Sequence, residues 1–229
     1  MKNQKTYCVV ALLTMGLLAG LLGCESNYRL REDGRMATYH RDYDLAAEKY
    51  GLAAEREPDD FMAQYELGKT YLLLGRPVSA QMSFEKGLAV KPDDKEWTPK
   101  FIDGIAESFY QQKRYEQLAS YLKDKAEYYG RPRDYIRQGK YLAMIGSPDE
   151  AVLAYKKAAH FSSKGDASAY VAIAEFYESI QDLENARIAL RYAYFVDADY
   201  PGLDDDFRKL GMIPGPTMRL EPPKPAMLQ

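Results

Sequence analysis

The sequence predicts an all-α fold, a helical-repeat solenoid of about five helix-turn-helix units closed by a C-terminal capping helix. Three observations carry this expectation. Gly34 and Gly68, Ala46 and Ala80, Tyr50 and Phe84, and Pro58 and Pro92 form four matched pairs, each offset by 34 residues. A fixed period between about 20 and 50 residues marks an array whose units bury their apolar faces only against their neighbours. The small-residue position then returns at intervals of 38, 33 and 35, through Ala106, Gly139 and Ala174. Composition agrees: 46% hydrophobic and 28% charged over 229 residues suits a folded, soluble body rather than disorder or a chain embedded in lipid.

Residues 1–23 stand apart from the repeats. Lys2 and Lys5 give a short positive start and Tyr7 to Leu22 carries no charge, the pattern of a signal peptide. The stretch is shorter than the roughly 20 apolar residues that a spanning helix needs. It ends Leu21-Leu22-Gly23-Cys24, followed by the polar Glu25-Ser26-Asn27. This resembles the lipobox of bacterial lipoproteins, with an apolar residue three before the cysteine and a small one just before it, matched by Leu21, Gly23 and Cys24. The resemblance implies cleavage between Gly23 and Cys24, thioether lipidation of Cys24, and acylation of the new amino terminus with a palmitate-like chain. Residues 24–26 would then be a lipidated N-terminus and short tether. An ordinary secretory signal with an incidental cysteine is the alternative. Lipidation needs a thiolate, which only Cys24 supplies there, and two or three acyl chains hold a soluble domain on a membrane without spanning it.

Cleavage would also remove Cys8, leaving no cysteine pair for a disulfide. The mature chain would carry 29 Lys and Arg against 34 Asp and Glu, a formal charge of −5. That balance gives no basic field for nucleic acid and no attraction to an anionic leaflet.

The repeats follow in order. Residues 61–94 are the best unit: Leu67-Gly68, Tyr71, Gly75, Ala80, Phe84, Gly87 and Pro92 resemble the tetratricopeptide repeat (TPR), with Gln64 where that pattern has Trp. Gly68 and Ala80 let two antiparallel helices approach, while Leu67, Tyr71 and Phe84 fill the space between units. Gly75 ends the first helix and Pro92 stops the second. Residues 27–60 supply Gly34, Tyr43, Ala46, Tyr50, Ala53 and Pro58, with Asp33 and Ala37 where large apolar residues are usual. After four extra residues near Trp97 and Pro99, residues 99–131 form a degenerate third unit through Ile105-Ala106, Phe109, Tyr115, Leu118 and Leu122. Residues 132–166 give Gly139, Leu142, Gly146, Ala151, Tyr155 and Ala158, with Pro132 at a first helical position. Residues 167–200 give Tyr170, Ile173-Ala174, Tyr177, Ala186, Leu190 and Ala193.

Over residues 201–211, Leu203, Phe207 and Leu210 share one helical face and Asp204, Asp205 and Asp206 sit where a helix N-terminus favours negative charge. This reads as a capping helix that hides the open edge of the last repeat. Residues 212–229 contain five prolines and read as a disordered, extended tail, or else as a ligand for another protein.

No catalytic constellation is visible. His40 and His160 lack a second ligand or a carboxylate at metal or triad spacing, and no phosphate-cradling glycine loop occurs. The sequence therefore predicts no enzyme, no metal, no cofactor beyond the covalent lipid on Cys24, no nucleic acid and no small-molecule substrate.

Function should then lie in a surface. The resemblance to tetratricopeptide repeats implies that first helices line a concave groove, which places Arg31 and Arg35, Tyr65, Glu66, Lys69 and Leu72, Asp103, Glu107 and Tyr110, Arg133, Arg137, Lys140 and Met144, and Glu175 and Glu178 on it. Arg133, Arg137 and Lys140 fall on one stripe at i, i+4 and i+7, suited to a carboxylate or to an ordinary solvated face. Glu66 stands where the family's carboxylate clamp needs Asn, which disfavours chaperone tails. The two resemblances together imply a lipid-anchored, non-enzymatic scaffold or assembly adaptor of the bacterial cell envelope, binding a protein partner in its groove. Alternatives are a peptidoglycan-binding or processing module and a pilotin-like factor for a secretin or pilus. Glu25 lacks the Asp that retains lipoproteins in the inner membrane of enterobacteria-like systems, so the expected location is the outer membrane, facing the periplasm.

Overall fold

The computed structural model describes residues 26–215, 218 and 221–228; the expected signal peptide and Cys24 lie outside them. Among the described residues there are eleven α-helices and no strand: α1 Asn27–Tyr39, α2 Tyr43–Arg56, α3 Phe61–Leu73, α4 Pro77–Val90, α5 Trp97–Gln111, α6 Tyr115–Tyr129, α7 Pro132–Met144, α8 Pro148–Phe161, α9 Ser168–Ser179, α10 Leu183–Val196 and α11 Leu203–Lys209. A 3-10 turn, Ala226–Leu228, follows near the C-terminus. The fold is a helical-repeat solenoid of five helix pairs with α11 after them. The chain divides into two compact bodies at Ser108 and Phe109, inside α5.

Helix starts follow from side-chain acceptors at the N-cap. Ser26 Oγ accepts from the Arg29 N–H, Asp42 from Leu45, Asp60 from Ala63 and Asp182 from Asn185. Asp94 accepts from the N–H groups of Trp97 and Glu96, two donors that hold its carboxyl below the usual range. Pro77, Pro132 and Pro148 open α4, α7 and α8, where no N–H is needed.

The turn inside each pair is the same device five times. Arg41, Gly75, Lys113, Gly146 and Gln181 all have positive φ, between 57° and 82°. The following N–H reaches back five residues in every case: Asp42 to Ala37, Arg76 to Tyr71, Arg114 to Phe109, Ser147 to Leu142 and Asp182 to Tyr177, at 2.8–3.0 Å. This is the Schellman closure of a helix C-terminus. Only two of the five left-handed positions are glycine, so three non-glycine residues tolerate a conformation that disfavours a Cβ.

In the N-terminal body α1 packs on α2, α2 on α3 and α3 on α4. Phe84, fully buried, lies between two glycines: a Cβ on Gly68 or Gly104 would approach its ring to 2.7 or 2.6 Å. Tyr50 covers Gly34 in the same way. The extra residues before α5 bring Trp97 onto Phe61 and Tyr65, edge to face at 4.9 and 5.4 Å.

In the C-terminal body α6 packs on α7 and α7 on α8, α9 meets α7, α8 and α10, and α11 packs on α10. Leu118 fills a repeat site usually held by Ala and is fully buried. Leu203, Phe207 and Leu210 join the core formed by α8, α9 and α10. The proline-rich end, read from its composition as an extended tail or a ligand, lies in part against the body. Pro222, Pro225 and Met227 are buried, Met227 within the same core.

Buried phenols give the fold an alkaline limit. Desolvation raises the pKa of Tyr50, Tyr155, Tyr170, Tyr177 and Tyr200 above the usual value near 10. A group whose folded pKa is raised contributes stability that is complete below its unfolded pKa and is lost as pH climbs through the folded one. Thermal stability is therefore expected to hold up to about pH 10 and to fall steeply above it. Phenolate absorbance at 295 nm should rise in two phases, exposed tyrosines first and the rest with unfolding. A single phase completed while the helices persist would contradict this.

Candidate functional site

The groove residues expected from the sequence occupy unequal environments. In the N-terminal body Arg31 is half-buried and donates to Asp60, the α3 N-cap, at 3.2 Å, while Asn27 donates to the other Asp60 oxygen at 2.7 Å. Arg31 thus ties α1 to α3. Arg35 pairs with Glu32 on its own helix at 2.7 Å, which raises the guanidinium pKa and lowers that of the carboxylate. Glu66 and Lys69 pair at 3.2 Å, and the Lys69 ammonium lies 5.3 Å from the Tyr65 ring centre. Asp103 is exposed and Glu107 half-buried on α5.

In the C-terminal body the basic stripe separates. Arg133 and Lys140 are exposed. Arg137 is only 9% exposed, and its Nη1 donates to Asp134 at 2.7 Å. Asp134, 1% exposed, also accepts from Arg131 Nε at 2.6 Å. The central arginine of the stripe is therefore engaged inside the body, so the three cations do not form one patch. Glu178 is half-buried, and burial raises its carboxyl pKa against the pull of Lys209.

Three of the expected residues, Lys140, Met144 and Glu175, do converge. Lys140 of α7 and Glu175 of α9 line one open pocket of about 600 Å³ with Met144, Tyr155, Phe176 and Ile180. Met144 and Ile180 are 46% and 52% exposed, so apolar surface is presented between one cation and one anion. The geometry suits a short segment with an apolar anchor and polar flanks. Among the described residues no three His, Cys, Asp or Glu side chains come together as a metal-ligand set, and no helix is long and apolar enough to cross a membrane.

Solved structures share this arrangement of helix pairs. TTC0263, a thermophilic TPR protein of Thermus thermophilus, aligns with a TM-score of 0.54 and 21% identity over 82% of this chain and 100% of its own. The chain has a tetratricopeptide-repeat fold. A TPR protein from Parabacteroides merdae aligns at 0.55 and 16% over 92% of this chain and 80% of its own. The protein MamA aligns at 0.51 and 18% over 83% and 98%. No protein-family model and no curated protein sequence matches the chain.

The TPR pattern located the helix faces but not the aromatic cluster of the N-terminal body. There Phe61, Tyr65, Trp97 and Phe101 meet edge to face, with Lys91 4.9 Å from the Phe61 ring centre and Lys100 4.2 Å from that of Trp97. The signal available in the sequence was the extra segment before α5, which sets a tryptophan beside an otherwise regular repeat.

Proposed function

We propose that this protein is a non-enzymatic protein-interaction adaptor, lipid-anchored through Cys24 at a bacterial envelope membrane, facing the periplasm. The observation that carries the binding role is the pocket of the C-terminal body, where Met144, Phe176 and Ile180 are presented between Lys140 and Glu175. A TPR fold supports the reading because each repeat leaves one helix face open to a partner. The lipobox-like run Leu21 to Cys24 supports the anchor. The outer membrane is the favoured location, because Glu25 is not the retaining Asp.

Crosslinking capture from membranes with the lipidated chain as bait tests both halves. Lys140→Glu, an exposed change, is expected to reduce recovery of the specific partner at least fivefold while leaving the melting temperature unchanged. Cys24→Ser should abolish palmitate labelling and move the protein from the detergent phase to the aqueous phase. Undiminished capture by the Lys140 variant would remove the pocket from the partner surface, and labelling that survives Cys24→Ser would remove the anchor.

A further inference from the structure

The C-terminal residues lie on the repeat array in a pattern that composition alone does not explain. Pro222, Pro225 and Met227 are buried and Leu228 half-buried, whereas Glu221, Pro223, Lys224 and Ala226 are exposed. Pro222 and Pro225 are three residues apart, one turn of a polyproline helix, so both can lie on the one edge of such a helix that faces the body, with Met227 two residues further on. The edge ends in a 3-10 turn closed by the Leu228 N–H on the Pro225 carbonyl at 2.8 Å. This turn aims Met227 into the body. There the Met227 N–H donates to Tyr177 Oη at 2.9 Å, in a buried bond. Met227 is 6% exposed and belongs to the core of α8, α9 and α10.

The seat of Met227 adjoins the candidate pocket through a chain of rings. The centres of Tyr177 and Phe176 are 5.7 Å apart, and those of Phe176 and Tyr155 are 5.5 Å apart. Phe176 and Tyr155 are pocket walls. What occupies the Tyr177 seat therefore bears on the packing of those walls.

We infer that the C-terminal body carries a recognition surface for a proline-helix segment of the form Pro-x-x-Pro-x-Met, and that the chain's own residues 222–227 are its resident ligand. A proline segment suits this use because it is extended before docking and loses little conformational freedom. Methionine adds a flexible apolar anchor beside aromatic rings. A ligand on the same chain acts at an effective concentration in the millimolar range. The contact can then close the surface in cis and still yield to a tighter segment from a partner. This deepens the adaptor reading by supplying its regulation, but its test needs no partner protein, so either can fail without the other.

The probe is a synthetic peptide of residues 218–229, titrated against the full chain and against a chain ending at residue 220. The shortened chain is expected to bind it at least ~10-fold more tightly than the full chain, where the tail competes. Changing the exposed Glu221, Pro223, Lys224 and Ala226 together in the peptide should leave binding within about twofold, and Met227→Asp should abolish it. In the full chain, Met227→Asp should open the seat and raise peptide affinity as truncation does, with the melt still cooperative and lowered no more than truncation lowers it. Equal binding to the full and shortened chains, or binding to neither, would overturn the inference. So would loss of the cooperative melt in both the shortened chain and the Met227→Asp variant, which would make the tail an ordinary part of the core. Concentration-dependent dimers that disappear with Met227→Asp would assign the segment to a second copy and overturn closure in cis.

Discussion

Phe84→Ala is expected to lower the stability of the N-terminal body by about 3–5 kcal/mol, among the largest single-residue effects in the chain. Phe84 is fully buried and its ring lies against Gly68 of α3 and Gly104 of α5, with Tyr65 at 5.9 Å. Glycines leave no side chain that could move into the space, so the cavity would stay open and the full cost would be felt. A solenoid transmits such a loss only through neighbouring contacts, and the chain offers a local reporter. Trp97, the sole tryptophan, packs 6.2 Å from Phe101 in the same body. The urea midpoint read by its fluorescence should fall by about 1–2 M, given slopes of a few kcal/mol per molar. Circular dichroism, which reports both bodies, should split into two transitions. A fluorescence midpoint within about 0.3 M of the parent would show that α3 and α5 close over the gap.

That pairing of aromatic ring and small residue was legible in the sequence because it obeys the repeat. Tyr50 faces Gly34, Phe84 faces Gly68 and Tyr155 faces Gly139, and each pair is 16 residues apart. Asp60 and Asp94, which follow the repeat-ending prolines Pro58 and Pro92, accept from N–H groups at the starts of α3 and α5. The turns were only partly legible. All five close with the same left-handed residue, yet Arg41, Lys113 and Gln181 carry no glycine signal. A backbone geometry imposed by the packing of two helices overrides the local preference there.

The candidate site was less legible for a different reason. Helical spacing places Arg133, Arg137 and Lys140 on one stripe, but it does not say whether a side chain turns outward or toward an acid on its own helix. Asp134 and Arg131 decide that for Arg137, and Arg131 lies at the helix N-cap, where a periodic reading stops. Proline content likewise reads as an extended chain whether the segment is free or laid on a surface. The alternation of buried and exposed residues in 222–228 becomes visible only once the surface exists.

Asp134→Ala is the second large effect, and it bears directly on how binding experiments are read. Its two carboxylate oxygens each hold an arginine, Oδ2 to Arg131 at 2.6 Å and Oδ1 to Arg137 at 2.7 Å, with the carboxylate 1% exposed and Arg137 9% exposed. Truncating the acid removes that partner from a guanidinium with little water around it, and breaking a buried pair from one side costs about 3–5 kcal/mol. Truncating Arg131, whose side chain is 27% exposed, leaves Asp134 still paired with Arg137 and should cost only about 1 kcal/mol. Asp134→Asn keeps an acceptor without the charge and should fall between the two. Urea melts of the three variants establish the order, and an Asp134→Ala protein within about 1 kcal/mol of the parent would show the pair to be dispensable. If the order holds, Arg137→Glu sets two carboxylates together in a buried site. Loss of partner capture by that variant would report a disrupted α7, so exposed Lys140, not Arg137, carries the test of the groove.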